Sequence, residues 1–206
     1  MDQGAKQTLW LRPIDNSTVR SSDPVRRCPT GVESEMSCML VPIRRKIFVS
    51  YHHRGDQRYY DEFSRVFHDG FQLITDNSLE RAIDSGNVDY VMRRIREEHL
   101  HGSSCTVVLC GAQTPTRKYV DWEIMASLNQ QMGLLAVLLP SIIGFPNGGT
   151  AKPARLQDNI DSRYAEWIMW SELAANPWLL GEKLELALRN NKLLINNTRM
   201  RMTRNG

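Results

Sequence analysis

From Lys46 to Leu139 the chain alternates short, continuously apolar runs with longer stretches whose apolar residues recur at helical spacing. The run 46-KIFVSY-51 is β-branched and aromatic, the texture of a central strand. After 52-HHRGD-56, Tyr59, Tyr60, Phe63, Val66 and Phe67 fall three and four apart, which predicts a helix with Asp56 as its N-cap. A short strand, 71-FQLIT-75, gives way to the polar 76-DNSLERAIDSGN-87. Val88, Val91, Met92 and Ile95 then mark an amphipathic helix capped by Asn87. Next come the strand 105-CTVVLC-110, the loop 111-GAQTPT-116, a helix over 117–132 and the buried strand 134-LLAVLL-139, ended by Pro140. Strand and helix repeated three times, then a strand, predict a three-layer α/β fold: a central parallel sheet of flavodoxin-like type with helices on both faces.

Beyond this core the pattern thins. Residues 141–165 read as a surface excursion, 166-EWIMW-170 as a last short strand, and 177–190 as an end helix. In that helix Pro177 sits in the first turn, with Trp178, Leu184 and Leu188 turned inward. The expected organisation is a flexible extension over 1–40, a domain over 44–190, and a basic tail over 191–206 that frays over 199-RMRMTRNG-206. Met36 and Met39 stand just ahead of the domain, and either is an alternative start.

The helix over 117–132 holds the most informative arrangement. With Ile124 at the centre of the buried side, Val120 and Leu128 join it at i−4 and i+4. Glu123 falls about 100° away, between Tyr119 above and Ser127 below on one stripe. Trp122 points nearly opposite Ile124, toward either a contact surface or a cover formed by the 141–165 excursion. In open parallel sheets ligands bind beyond the carboxyl ends of the strands, where strand order switches. The loops there are 51-YHHRG-55, 76-DNSLE-80 and 111-GAQTPT-116, and the Glu123 helix starts from the third. A lone Glu on a helix flank is ordinarily a solvated charge; this one starts at the ligand rim.

Composition narrows the choices. A formal net charge of +3 is slight for a nucleic-acid binder, so no nucleic-acid partner is expected. No apolar run reaches the ~18 residues of a membrane span. The N-terminal segment lacks an apolar signal core, which predicts a cytoplasmic protein. Cys105 and Cys110, five apart on one strand, face opposite sides and cannot pair with each other there. With Cys28 and Cys38 they show no zinc-ligand spacing, and the adjacent His52 and His53 are poorly placed to share a metal; no metal site or cofactor is expected. The chain also lacks G-x-G-x-x-G after its first strand, G-x-x-x-x-G-K-[ST] and G-x-S-x-G, and its third strand ends in Cys110-Gly111 rather than Asp. Hydride transfer, NTP hydrolysis, serine hydrolysis and phosphorelay lose ground accordingly.

Three features together resemble the TIR domain, and within it the bacterial group found in the Thoeris anti-phage system. They are 46-KIFVSYHH-53, the segment 105-CTVVLCGAQTPTRKYVDWEIMASL-128, and the strand–helix order between them. The likeness covers about residues 44–140. Its most specific part is an aromatic residue followed four positions later by a glutamate and then an aliphatic residue: Tyr119, Glu123 and Ile124.

The resemblance implies an enzyme that cleaves NAD, as substrate rather than cofactor, between nicotinamide and ribose. The products would be nicotinamide and ADP-ribose or a cyclic or otherwise modified ADP-ribose signal that reaches a separate effector. Glu123 would be the catalytic carboxylate, and Tyr119 would stack on nicotinamide. Tyr51 and His52 would line the NAD pocket, with Asp76 and Ser78 reaching a ribose or phosphate. Self-association is a further implication, with Trp122 as its candidate contact. Two other readings stay open: a non-catalytic scaffold of the same fold, and a nucleoside deoxyribosyltransferase-like enzyme using the glutamate as a covalent nucleophile.

Overall fold

The computed structural model describes residues 44–75 and 88–206. The expected 1–40 extension, Cys28, Cys38, Asp76, Ser78 and the capping Asn87 lie outside the described residues.

Five parallel strands form one sheet in the order β2-β1-β3-β4-β5. They are β1 Arg45–Ser50, β2 Phe71–Ile74, β3 Cys105–Cys110, β4 Gly133–Leu138 and β5 Glu166–Met169. The expected parallel sheet is therefore observed, and strand order reverses between β1 and β3, where Ser50 pairs in register with Val108. Every residue of β3 and β4 is buried, as strands covered on both faces require.

Side-chain alternation divides the core into two sides. Ile47, Val49, Cys105, Val107, Leu109, Leu135 and Val137 face one side, packed with residues of α1 His53–Phe67 and of a late helix, Leu179–Arg189. Val108, Cys110, Leu134, Ala136 and Leu138 face the other, against the helix Lys118–Asn129. Cys105 and Cys110 thus lie on opposite faces, as their spacing predicts, and burial pushes both thiols up to about 12. Each fully buried Val, Leu, Ile or Phe side chain contributes roughly 1.5–3 kcal/mol, so these two layers dominate the stability of the domain.

In chain order the helices after α1 are α2 Val88–Arg94, which runs on as a π turn over Ile95–His99, α3 Lys118–Asn129, α4 Ala154–Asp161, α5 Trp170–Ala175 and α6 Leu179–Arg189. The segment expected to be a surface excursion thus contains α4. Its Arg155 is fully buried and forms a salt bridge to Asp121, Nε to Oδ1 at 2.9 Å, while its Nη1 donates to Asn197 at 2.6 Å. Helix α6 buries Leu180, Leu184 and Ala187, with Leu188 partly covered. Trp178, expected to face inward, precedes the first helical turn and is 85% exposed.

The C-terminal segment is docked rather than frayed. Trp122 Nε1 donates to the Met202 carbonyl at 2.7 Å, and Met202 N–H donates to Asp121 at 2.9 Å. Lys118 N–H donates to Asn205 Oδ1 at 3.0 Å, and Gly206 N–H to the Thr116 carbonyl at 3.0 Å. Backbone groups make most of these bonds, so the docking leaves no apolar periodicity in the sequence. No helix among the described residues is long and apolar enough to cross a membrane.

Candidate active site

Helix α3 has two apolar faces with a polar stripe between them. Val120, Ile124 and Leu128 pack on β3 and β4, while Trp122 and Ala126 pack with Phe48, Val91, Met92 and Ile95. Trp122 is therefore a core residue, only 4% exposed, and not the contact surface expected from a helix with one buried side. Residues two apart on a helix point nearly opposite ways, so a helix buried on both sides hides both Ile124 and Trp122.

Between those faces, Glu123 and Ser127 meet the two polar side chains that β1 and β3 turn toward this helix. Ser50 Oγ donates to Glu123 Oε2 at 2.5 Å. One turn on, Ser127 Oγ donates to the Glu123 carbonyl at 2.7 Å and lies 2.6 Å from Thr106 Oγ1. The hydrogen of Ser127 is used on the carbonyl, so Thr106 is the donor in the second contact. Glu123 is 6% exposed. Its carboxylate crosses the β1/β3 switch point, the place where this strand order puts ligands. Ser50 went unnoticed in the sequence because a serine ending a strand carries no pattern of its own.

Nearby residues of the same two elements line a recess of about 220 Å³, whose walls are His52, Arg54, Arg117, Tyr119 and Asn205. His52 lies two residues beyond Ser50, and Tyr119 one helical turn before Glu123. His52 and Tyr119 thus share one recess. Tyr119 meets Trp122 edge-on at 5.5 Å and carries the Lys118 ammonium 4.9 Å from its ring centre.

Tyr51 does not join them. Strand alternation turns it to the α1 side of the sheet, where it stacks on Tyr60 at 4.5 Å and its hydroxyl donates to Gln57 at 3.0 Å. Burial raises its pKa above the ordinary phenol range. It supports the fold behind the site instead of lining it.

Asp56 also departs from expectation. Helix α1 begins three residues earlier, with the His52 carbonyl accepting from Gly55 and Asp56 N–H at 3.2 and 2.8 Å. The Asp56 side chain instead turns into the rim, where Thr114 Oγ1 and Ser141 Oγ donate to it at 3.2 and 3.3 Å. Burial raises its pKa, offset in part by those two hydrogen bonds. The loop after β3 closes over it so tightly that a Cβ on Gly111 would lie 2.2 Å from Asp56 Oδ1. Asp56 therefore ties α1 to the loops after β3 and β4, and glycine at 111 is what allows it.

Among the described residues no group of three His, Cys, Asp or Glu side chains stands together to hold a metal. Of the acids buried here, Asp121 is neutralised by Arg155 and Asp56 is held by hydroxyls at the rim. Glu123, at the switch point, accepts from the Ser50 hydroxyl.

A family model described as "Thoeris protein ThsB, TIR-like domain" matches residues 48–142, which run from β1 through the loop after β4 and include Ser50, His52, Tyr119 and Glu123. No curated protein matches in sequence. Among solved structures, a chain of the TIR domains in the activated Roq1 resistosome directly recognizing the pathogen effector XopQ is similar at 11% identity. That alignment covers 70% of this chain and 82% of the other, with a TM-score of 0.34. Over residues 48–142, then, the chain carries a TIR-like domain of the Thoeris ThsB type.

Proposed function

We propose that this domain cleaves NAD between nicotinamide and ribose, with Glu123 as the carboxylate that engages the sugar. The observation that carries the reading is the Ser50–Glu123 hydrogen bond at the switch point. A buried carboxylate there already accepts from an alcohol O–H, the same donor a ribose hydroxyl offers. In the reaction the ribose hydroxyls take the place of Ser50.

The bond that breaks joins the ribose C1′ to the pyridinium nitrogen. Its electron pair returns to the ring, so nicotinamide leaves neutral without an acid to protonate it. Positive charge then gathers on the ribose C1′ and ring oxygen, and a fixed carboxylate stabilises that charge more than it stabilises bound substrate. Tyr119 supplies a face for the cationic nicotinamide, a contact worth about 0.5–2 kcal/mol. Lys118 already lies over that ring, so nicotinamide displaces it or takes the opposite face. Attack on C1′ by water gives ADP-ribose, and attack by a nucleophile of the same molecule gives a cyclic product. In anti-phage defence such a product is a diffusible signal to a separate effector.

The test is nicotinamide release from NAD by the purified chain at high protein concentration, beside base exchange between a deoxynucleoside and a free base. Release that vanishes in Glu123→Gln supports the proposal. Base exchange without NAD loss would assign deoxyribosyl transfer instead, and the absence of both activities would favour a scaffold.

A further inference from the structure

The C-terminal segment is fastened in two different ways along its length. Up to Asn197 it is tied to the interior: Asn159, fully buried, donates to the Asn196 carbonyl at 2.7 Å and accepts from Asn196 N–H at 3.0 Å. The fully buried Arg155 donates to Asn197, which in turn donates to the Met125 carbonyl at 3.2 Å. From Thr198 to Gly206 every residue is exposed except Met202, which is partly buried. Here the ties are polar and near the surface. Arg199 pairs with Asp158 at 2.7 Å, and the Met202 backbone bonds to Trp122 and Asp121. Exposed ion pairs of this kind contribute little.

Beyond Met202 the hold weakens further. Two hydrogen bonds remain, from Lys118 N–H to Asn205 Oδ1 and from Gly206 N–H to the Thr116 carbonyl, each 3.0 Å long. A cavity of about 660 Å³ separates this stretch from Pro115, Pro153 and Ala154. A segment packed as part of the core leaves no such void, so little apolar burial opposes its release. The Lys118 amide is one that the helix cannot satisfy itself, and Arg117 at the N-cap makes no capping hydrogen bond. Water can replace Asn205 there at small cost, because the site is at the surface.

That weakly held tip ends at the candidate site. Asn205 forms one wall of the recess that His52 and Tyr119 line, and the recess closed in this way measures about 220 Å³. Pockets for drug-sized ligands run from about 300 Å³ upward, so the closed recess is too small for a dinucleotide. The rest of the wall comes from helix starts and cannot retreat without unpacking the core, whereas the tip can.

We propose that residues 203–206 are an autoinhibitory strap: closed, they shut NAD out of the recess beside Tyr119, and NAD enters only when the strap lifts from Thr116 and Lys118. The inference rests on the NAD-cleaving reading for its ligand. The apparent affinity for NAD is then the intrinsic affinity multiplied by the fraction of molecules with the strap open.

Locking the strap tests this directly. A Cβ on Gly206 lies 3.4 Å from Thr116 Cβ, close to the roughly 3.5–4.5 Å that disulfides span. The double variant Thr116→Cys, Gly206→Cys should therefore crosslink under oxidised glutathione. Oxidised, it should bind NAD at least about tenfold more weakly than the parent by calorimetry, and dithiothreitol should restore binding. Neither single-cysteine variant should respond to oxidant. Deleting Asn205 and Gly206, both exposed, leaves the core intact and should tighten NAD binding about tenfold, the scale of two hydrogen bonds between neutral groups. Equal NAD binding by the oxidised and reduced forms, or an unchanged affinity after the deletion, overturns the strap and leaves the cleavage reading standing. Binding that follows the lock without nicotinamide release in any form keeps the strap and removes the cleavage reading. No NAD binding by any form, the deletion included, overturns both.

Discussion

Replacing Ser50 by alanine removes the hydroxyl that donates to Glu123 at 2.5 Å and leaves a carboxylate that is 6% exposed one donor short. A hydrogen bond to a charged group contributes about 1.5–3 kcal/mol, and one between neutral groups about 0.5–1.5 kcal/mol. Ser50→Ala should therefore destabilise the domain by about 2 kcal/mol at neutral pH. In a Glu123→Gln background the same substitution should cost about 1 kcal/mol, because the acceptor is no longer ionised. Urea denaturation of the four proteins measures both losses; with an m-value of about 2 kcal/mol per molar urea, the parent midpoint falls by about 1 M. The difference between the two losses is the coupling energy of the pair. Equal losses in both backgrounds, within about 0.5 kcal/mol, would mean that Ser50 and Glu123 act independently and that the proposed anchoring of the carboxylate is wrong.

Asp56 should give the domain a distinctive pH dependence. Its folded-state pKa is raised, so its protonated form favours the fold and that contribution is lost as pH climbs from about the ordinary value of 3.8 through the raised value. Asp56→Asn should remove this dependence, with the parent more stable relative to the variant near pH 4 than at pH 7; a constant offset in urea titrations would contradict the assignment. Arg155→Ala should destabilise by about 3–5 kcal/mol because it strands the Asp121 carboxylate in the interior, whereas a loss below 1 kcal/mol would show Asp121 to be solvated. Truncation after Arg201 removes the Met202 and Asn205 contacts and should cost about 2–4 kcal/mol, at roughly 0.5–1.5 kcal/mol per hydrogen bond. It should also red-shift tryptophan fluorescence, and the shift should disappear in a Trp122→Phe background; an unshifted spectrum would mean the segment does not cover Trp122.

Layer order was legible because continuously apolar runs alternate with stretches of period 3.6 from Lys46 to Leu139. Glu123 was legible because its place on α3 depends on helical phase and on where the helix starts, both of which the sequence supplies. Trp122 was misjudged from the same wheel, since phase alone cannot reveal that a second apolar layer from α2 closes over the far side. Tyr51 and Ser50 are adjacent, so the sheet sends them to opposite faces; the phenol attracts notice and the serine does the work at the switch point. Helix α4 was hidden by the buried Arg155, which reads as a surface charge until Asp121 is brought against it from 34 positions away. Residues 195–206 dock through backbone and amide groups and an Arg199–Asp158 ion pair, whose partners no local pattern encodes. Arg54 and Arg117 lie far apart in sequence, and only the fold sets their helix ends side by side.

The central claim is that the carboxylate at position 123 touches the sugar of NAD, and a crystal structure of the Glu123→Gln variant with NAD bound tests it most directly. Expected is the side-chain amide at 123 within about 3.2 Å of the hydroxyls on the nicotinamide ribose, with Ser50 released from it. NAD seated elsewhere, with Ser50 still bonded to that side chain, would contradict it.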